Sequence, residues 1–203
     1  MTRGLRTCGA ALALALACSA CGVLPTGSGT PEIAPPSVGL TAGQLGLPVL
    51  NLSLLETGTA GTMALVASRD GYDTYMSSDD ISLTLRAGML IATRGFGGDL
   101  ASTDASATAA ALATGSAGPV ERFHGFYTRG EEVALTAFVC TLTWNGAEAL
   151  QRPGGPVTAQ RVTEFCRSPS ASFANTFWVD GSGRIVQSVQ WAGERIGLVA
   201  LIP

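Results

Sequence analysis

The glycine-rich stretch LIATRGFGGDLAST, residues 90–103, is where residue types and spacing first suggest chemistry. An apolar run enters three glycines and Asp99 follows directly, as in a loop that cradles a phosphate. A dinucleotide-binding loop needs glycine at the sixth position counted from Gly95, where this chain has Leu100. A Walker loop needs a lysine, and the sequence contains none. We therefore interpret the glycines as a sharp bend after a strand.

Few other residues could carry out acid–base or metal chemistry. His124 is the only histidine, and a lone histidine in a strand is usually a packed residue. The sequence lacks a Gly-x-Ser-x-Gly nucleophile motif and a calcium-loop motif. The clustered carboxylates lie where turns are expected. We predict no catalytic residue, no metal and no cofactor, with a glycan hydrolase or lyase acting through Asp79, Asp80 or His124 as the minor alternative.

The N-terminal segment MTRGLRTCGAALALALACSAC has the pattern of an export signal. Two arginines precede an Ala/Leu core that is too short to span a bilayer as a stable helix. A cysteine directly after small residues at the end of such a core is the acylation site of bacterial lipoproteins. We predict a signal peptide over residues 1–17 and lipidation of Cys18, with Cys21 as the alternative. A cleaved signal that releases a soluble protein is the other interpretation.

The rest of the chain divides into a linker and one domain. Residues 18–48 are rich in Gly, Pro, Ser and Thr and predict a flexible, lipid-anchored linker. Residues 49–203 predict a single β-rich periplasmic domain. Because Lys and Arg number 12 against 15 Asp and Glu, the chain lacks the basic surface of a nucleic-acid-binding protein. The membrane is therefore expected as a partner through the acyl chains alone.

Two cysteines remain in the predicted domain, Cys140 and Cys166. In an oxidising compartment the expected state is a disulfide, which would stabilise the fold by about 3 kcal/mol. A metal site is the alternative, but two cysteines and one histidine cannot complete a tetrahedral site without a carboxylate.

The domain sequence alternates between apolar and polar residues, as in VLNLSLLE and ISLTLR. This period of two is typical of antiparallel strands with one buried face. Asp-Gly or Asn-Gly pairs at residues 70–71, 145–146 and 180–181 indicate tight turns. We predict eleven strands in an antiparallel barrel-like or sandwich domain. The alanine-rich residues 103–113 predict one short helix, with Gly115 after its end, or else a flexible loop.

Aromatic residues could form a sugar-binding surface, although core packing is their more common role. Trp178 and Trp191 lie in two segments that the turn at residues 180–181 would join as a hairpin. Gln190 precedes the second of these tryptophans. We take these three residues, together with Arg94 and Asp99 of the glycine-rich stretch, as candidates for ligand or partner contact.

Three segments carry a family resemblance. The run TYMSSDDISLTLRAGMLIATRGFGGDL at residues 74–100, FVC at 138–140 and NTFWVDGSGRIVQSVQWAG at 175–193 resemble the group 4 capsule polysaccharide lipoprotein family, the YjbF/GfcB type. The resemblance implies a mainly β, barrel-like periplasmic domain anchored to the outer membrane. It also implies a role in capsule or exopolysaccharide assembly or export, beside an outer-membrane barrel and other export proteins. It supplies no catalytic residues.

The function that we predict from these observations is non-enzymatic. The protein is expected to be an outer-membrane lipoprotein, facing the periplasm, that serves the assembly or export of capsular polysaccharide or exopolysaccharide. The alternative is a periplasmic module that binds a glycan or an acyl chain.

Overall fold

The computed structural model describes residues 46–128, 132–152 and 155–203. These residues form twelve strands and one helix. The predicted signal peptide and both candidate lipidation sites, Cys18 and Cys21, lie outside the described residues. No helix in the described ranges combines the length and the hydropathy needed to cross a membrane. The elements are β1 (Val49–Leu54), β2 (Thr59–Arg69), β3 (Tyr72–Met76), β4 (Ser82–Arg86), β5 (Met89–Arg94), β6 (Leu100–Asp104), α1 (Ser106–Thr114), β7 (Pro119–Tyr127), β8 (Val133–Leu150), β9 (Val157–Arg167), β10 (Ser172–Val179), β11 (Ile185–Trp191) and β12 (Leu198–Ile202).

All twelve strands belong to one antiparallel sheet, in the order β5-β4-β3-β2-β1-β12-β11-β10-β9-β8-β7-β6. The two terminal strands of this order, β5 and β6, are joined in sequence by residues 95–99 alone. The sheet therefore curls round until its ends meet, and it forms a nearly closed barrel. This confirms the predicted mainly β, antiparallel, barrel-like fold with one short helix.

The alternating pattern places the apolar core inside the barrel. In β4 the side chains of Leu83 and Leu85 are buried, and in β1 those of Leu50 and Leu52 are buried. Their polar neighbours lie on the opposite face, because successive side chains of a strand point to opposite sides. The inward-facing leucines of β1, β4, β5 and β12 belong to the largest apolar cluster of the described residues, together with Met63 and Tyr75 of β2 and β3.

The first connection illustrates why these strands form hairpins. Asp70 and Gly71 both have positive φ angles, 53° and 79°. A two-residue turn of this kind matches the twist of the strands on either side, and the pair follows the predicted Asp-Gly turn. The hairpin between β10 and β11 also forms as predicted, with Trp178 paired to Gln187.

Two local predictions are wrong. The first two residues of the predicted helix, Thr103 and Asp104, belong to strand β6, which pairs with β7, so that α1 begins only at Ser106. The predicted stop is confirmed, because Gly115 ends the helix in the left-handed conformation with φ of 71°. The Asn145-Gly146 pair is not a hairpin turn. It lies within β8, where the register shifts between Trp144 and Gly146 as in a β-bulge.

Candidate functional site

Alternate connections of an antiparallel meander lie at the same end of the barrel. The β5–β6, β7–β8, β9–β10 and β11–β12 connections therefore share one end. Residues at this end enclose a cleft of 260 Å³, which we call the aromatic cleft. Its main lining residues are Phe126, Tyr127, Phe138, Trp191, Glu194 and Arg195.

The floor of the aromatic cleft is a set of fixed rings. Trp191 stacks on Phe173 with ring centroids 4.4 Å apart and an angle of 12° between the planes. Phe126 and Phe138 meet Trp191 edge-on, at 5.6 and 6.2 Å. The backbone N–H of Trp191 also donates to Asn175 Oδ1 at 2.7 Å. These contacts hold the indole in one orientation, while its partial exposure leaves part of it facing the cleft.

The rim of the cleft comes from the connection between β11 and β12. Ala192 N–H donates to Gly197 O, which closes this turn and carries Glu194 and Arg195 outwards. Gly193 lies in this turn with φ of 115°, and a Cβ there would come within 2.6 Å of the Phe126 ring. Glycine is therefore required both by the backbone conformation and by the close approach of Phe126.

A more polar space of 470 Å³ adjoins the aromatic cleft, since Gly98, Tyr127 and Arg195 line both. Arg195 donates from Nη1 to the carbonyl of Gly97 at 2.8 Å. The guanidinium of Arg94 lies 5.2 Å from the centre of the Tyr127 ring, in a cation–π contact. The two spaces together form an open groove along this end of the barrel.

The predicted contact residues Arg94 and Asp99 both lie at the junction of β5 and β6, which we call the seam. No backbone ladder joins these two strands in the sheet. Asp99 instead accepts hydrogen bonds from the Thr93 hydroxyl at 2.9 Å and from the backbone N–H groups of Gly95 and Phe96 at 3.1 and 3.2 Å. Arg94 donates across the seam to the carbonyl of Leu100 at 3.1 Å.

Gln190 acts on the same edge from inside the barrel. Its side-chain amide accepts from Leu90 N–H at 2.9 Å and donates to the carbonyl of Gly88 at 2.8 Å. This pair of bonds replaces the neighbouring strand that β5 lacks. Gln190 is fully buried, so the structure places it away from the aromatic cleft.

Trp178 is also removed from the cleft. The residue is 2% exposed, and it packs with Ala159, Val189 and Ala200 on the face of β10 opposite the barrel interior. Its indole N–H donates to Glu148 at 2.8 Å. Of the two tryptophans that the sequence proposes for ligand contact, only Trp191 lines the cleft.

A buried polar network lies behind the aromatic floor. Glu164 is completely buried, and it accepts from Arg122 Nη1 at 3.2 Å and from Asn175 Nδ2 at 2.6 Å. Thr108 of α1 donates to the second carboxylate oxygen. Burial lowers the pKa of Arg122, while the facing Glu164 carboxylate acts in the opposite direction. The ion pair is thus fully desolvated but supplied with additional hydrogen bonds.

His124 belongs to this network as well. Its Nε2 accepts from Arg122 Nε at 2.9 Å, and its ring lies among Phe126, Phe138, Phe173 and Trp191. Burial, reinforced by the positive charge of Arg122, lowers the pKa of His124 to about 3. The imidazole is therefore neutral at physiological pH, and it is fully enclosed. Its observed role is to accept a hydrogen bond inside the core.

The predicted disulfide is confirmed. Cys140 and Cys166 are direct partners on β8 and β9, with Cα atoms 4.0 Å apart, and their sulfurs are bonded. The two sulfurs and the Glu164 carboxylate lie within 4.8 Å of one another. Because thiolates are the metal-binding form of cysteine, this group has no sulfur ligand to offer while the disulfide is intact.

A second cleft, of 480 Å³, lies at the opposite end of the barrel between β5 and α1. Arg86 and Tyr72 form one side, where the guanidinium lies 4.9 Å from the ring centre. Asp104 on the other side accepts from the Ser106 N–H and hydroxyl, and these bonds lower the pKa of its carboxyl. The aromatic cleft is the better candidate site because its rings are fixed from behind while its charged rim is exposed.

Sequence reasoning missed most of the cleft. Glu194 and Arg195 follow Trp191 in a turn whose course the strand pattern does not reveal. Phe126 and Phe138 lie on inward-facing positions of β7 and β8 that sequence assigns to the core. One signal could have indicated the network behind them, namely that Glu164 stands between Val162 and Cys166 on the buried face of its strand.

The fold resembles that of a protein of known structure. The chain is similar in structure to the hypothetical lipoprotein YmcC from Escherichia coli K12, with 23% sequence identity, a TM-score of 0.67, and coverage of 80% of this chain and 87% of that one. A protein described as exported, with a YmcC-like fold, from Bacteroides fragilis aligns over 76% of this chain and 91% of its own, with 9% identity and a TM-score of 0.34. No curated protein sequence matches the chain.

A family model covers nearly all of the predicted domain. The model is described as "Group 4 capsule polysaccharide lipoprotein gfcB, YjbF", and it matches residues 43–202. The description is that of a lipoprotein family related to capsule polysaccharide, and it fits a location in the cell envelope. The described strands β1 to β12 all lie inside the matched range. The chain therefore belongs to the group 4 capsule polysaccharide lipoprotein family.

Proposed function

We propose that this protein is an outer-membrane-anchored lipoprotein, facing the periplasm, with a non-enzymatic role in the assembly or export of capsular polysaccharide or exopolysaccharide. The observation that carries the proposal is the family match over residues 43–202. The anchor would be the acyl chains on Cys18 or Cys21, with residues 18–48 as the tether. Multiple acyl chains suffice for stable membrane attachment without a spanning helix.

The contacts of three titratable groups support a non-enzymatic role. His124 and Glu164 are enclosed and engaged with Arg122. Asp99 is committed to the backbone of its own turn. Acid–base catalysis would instead require a group within reach of a bound substrate and with a pKa near the working pH.

The proposal is tested by deleting the gene and restoring it on a plasmid. Secreted and surface polysaccharide should fall in the deletion strain and return with the wild-type gene. Unchanged polysaccharide in a clean deletion would contradict the proposal. Incubating the purified protein with the polymer should leave its chain length unchanged, and shortening would show that the protein is an enzyme.

The anchor is tested on the full-length protein. Replacing Cys18 by alanine should abolish acylation and release the protein from the membrane fraction, while Cys21→Ala should leave both unchanged. The mass of the mature N-terminal peptide identifies the acylated residue. Acylation that is lost only in Cys21→Ala would move the anchor to that residue, and acylation of neither would contradict the lipoprotein proposal.

The expected partners are other polysaccharide export proteins, including an outer-membrane barrel. Crosslinking in intact membranes with the lipidated protein as bait should capture them. Because Arg94 and Asp99 both lie at the accessible end of the seam, Arg94→Ala and Asp99→Ala test whether this surface takes part. Capture that is unchanged by both substitutions would exclude these two residues from the contact.

A second candidate function is that of a glycan- or acyl-chain-binding module. The aromatic cleft is the observation that favours it, because a fixed, partly exposed indole beside exposed charged groups is suited to hold a ligand.

A further inference from the structure

We propose that the aromatic cleft binds a short stretch of a glycan chain, with a sugar ring packed on Trp191 and its hydroxyl groups held by Glu194 and Arg195. That the glycan belongs to a capsular polysaccharide or exopolysaccharide rests on the proposed function. The binding site itself follows from the geometry of the cleft.

The first argument is the rigidity of the aromatic surface. Trp191 is stacked on Phe173, bounded by Phe126 and Phe138, and fixed through its backbone to Asn175. Its ring therefore loses little conformational freedom when a ligand covers it, which lowers the entropic cost of binding. The C–H face of a pyranose ring is a flat apolar surface that matches such an indole.

The second argument is the hydrogen-bonding capacity of the rim. A sugar hydroxyl both donates and accepts, so a suitable site offers both kinds of partner close together. Glu194 supplies carboxylate acceptors, and it forms no ion pair with any described residue. Arg195 supplies donors, because among the described residues it donates to Gly97 alone, which leaves most of its five N–H groups for a ligand. Thr136 and Ser170 add two hydroxyl groups to the lining.

The third argument is the shape of the site. A volume of 260 Å³ is below the usual range of about 300–1,000 Å³ for pockets that enclose a drug-sized ligand. The aromatic cleft nevertheless continues into the polar space beside Gly97 and Asp99. A small pocket that opens into a groove suits one or two units of a longer chain, which can enter and leave without a free end.

An acyl chain fits this site less well. It would cover Glu194, Arg195, Thr136 and Ser170 without offering them hydrogen bonds, and burying charged or polar groups without partners is costly. An apolar ligand would also favour an enclosed cavity over an open groove. The glycan is therefore the occupant that the lining chemistry favours.

The test uses the purified wild-type protein and short oligomers prepared from the extracellular polysaccharide of the source bacterium. Binding is followed by isothermal titration calorimetry and by the fluorescence of the protein. Trp191→Ala should weaken binding by roughly tenfold or more, the loss typical of a central aromatic anchor. Trp191→Phe, which keeps an aromatic face, should lose less.

The matched control is Trp144→Ala. Trp144 is also half-buried, but it donates to the carbonyl of Ser116 and does not line the cleft. This variant should bind as wild type. Glu194→Ala and Arg195→Ala are at exposed positions outside the core, so they still test binding at the cleft if Trp191→Ala does not fold. Each should weaken binding severalfold, whereas Glu121→Ala, on the exposed face of β7, should not.

Three outcomes would overturn the inference. Absence of binding by wild type excludes a glycan site, and binding unaffected by the cleft variants places the site elsewhere. Tighter binding of a fatty acid than of the oligomers, lost in Trp191→Ala, assigns the cleft to acyl chains instead. Failure of the inference is distinguishable from failure of the proposed function, because polysaccharide export can depend on a protein that binds no glycan. Conversely, oligomer binding with unchanged export in the deletion strain would preserve the site and contradict the proposed function.

Discussion

Two parts of the barrel hold their strands together by different means. The wall, strands β7 to β10, contains the longest strand of the sheet, the disulfide and a buried ion pair. The seam between β5 and β6 has no backbone ladder and is closed by the side chains of Arg94 and Asp99, with Gln190 covering the β5 edge. The aromatic cleft lies between these two parts, with lining residues from each.

The rigid part of the barrel and the part that borders the open rim of the cleft are therefore different groups of strands. The polar network of the wall holds the rings behind the cleft, since Asn175 links Glu164 to the backbone of Trp191. The seam ends beside Gly98, where a Cβ would come within 2.5 Å of the Arg195 side chain. The wall thus positions the floor of the cleft, and the weaker seam positions its rim. Changes in the wall should therefore cost more stability than changes in the seam.

The largest effect is expected from Glu164→Leu in the wall. The substitution leaves the guanidinium of Arg122 buried without its carboxylate, and Asn175 and Thr108 lose their acceptor. Breaking a buried pair in this way costs about 3–5 kcal/mol. Chemical denaturation should show this loss, and Glu121→Leu on the exposed face of β7 should stay within about 0.5 kcal/mol of wild type. A loss below about 1 kcal/mol would show that the network is not important for stability.

A somewhat smaller effect is expected when the disulfide is removed. Cys140 and Cys166 are separated by 26 residues, and a closed loop of this length should stabilise the fold by about 3 kcal/mol. The double variant Cys140→Ala/Cys166→Ala should lose that amount in denaturant titrations. Dithiothreitol should destabilise the wild type but leave the double variant unchanged. Equal sensitivity of both proteins to the reductant would contradict this assignment.

The pH dependence tests the wall in a third way. The folded protein holds His124 neutral with a pKa of about 3, against an ordinary value of 6.5. Between these values the unfolded chain binds a proton that the folded chain excludes, so stability falls as the pH is lowered. The slope should reach up to about 1.4 kcal/mol per pH unit. Denaturation between pH 6.5 and 5 isolates this effect from most carboxylates, and His124→Phe should flatten it. An equal slope in both proteins would assign the effect to other groups.

The seam and the wall also differ in how far sequence could predict them. All four strands of the wall were among those predicted, and in β10 the residues Phe173, Asn175 and Phe177 alternate with outward-facing residues as expected. The same rule gave no partner for Glu164, since the carboxylate, guanidinium and amide come from three strands whose register depends on the whole barrel. Strand β6 was not predicted, because its pairing with β7 shifts register between Leu100 and Ser102, which interrupts the alternation of buried and exposed residues.

The glycine-rich stretch was predicted correctly in its local structure but not in its role in the sheet. The sequence correctly predicts a bend after the Met89–Arg94 strand, and the glycines at 95 and 97 adopt positive φ angles of 90° and 80°. It could not show that this bend joins the two ends of one sheet. That role depends on the pairing order of all twelve strands, which no local pattern encodes.

The smallest effect is expected from Asp99→Ala in the seam. The carboxylate accepts from Thr93, Gly95 and Phe96, so its removal leaves these donors to water at an already open junction. Because the site is partly exposed, we expect a global loss of only about 1–2 kcal/mol, smaller than that of any wall substitution above. The free energy of local opening at the seam should fall by a larger fraction than the global stability, since the ends of sheets open before their centres.

Amide hydrogen exchange distinguishes local opening of the seam from unfolding of the whole barrel. Leu100 N–H donates to the Thr93 hydroxyl, which itself donates to Asp99, so the loss of the carboxylate should speed exchange at Leu100. Exchange at the wall residues Cys140 and Val162 should follow the global stability alone. Asp79→Ala, in an exposed turn, is the matched control and should change neither. If Asp99→Ala speeds exchange equally in seam and wall, then the seam opens only when the whole barrel unfolds, and the two parts are one cooperative unit.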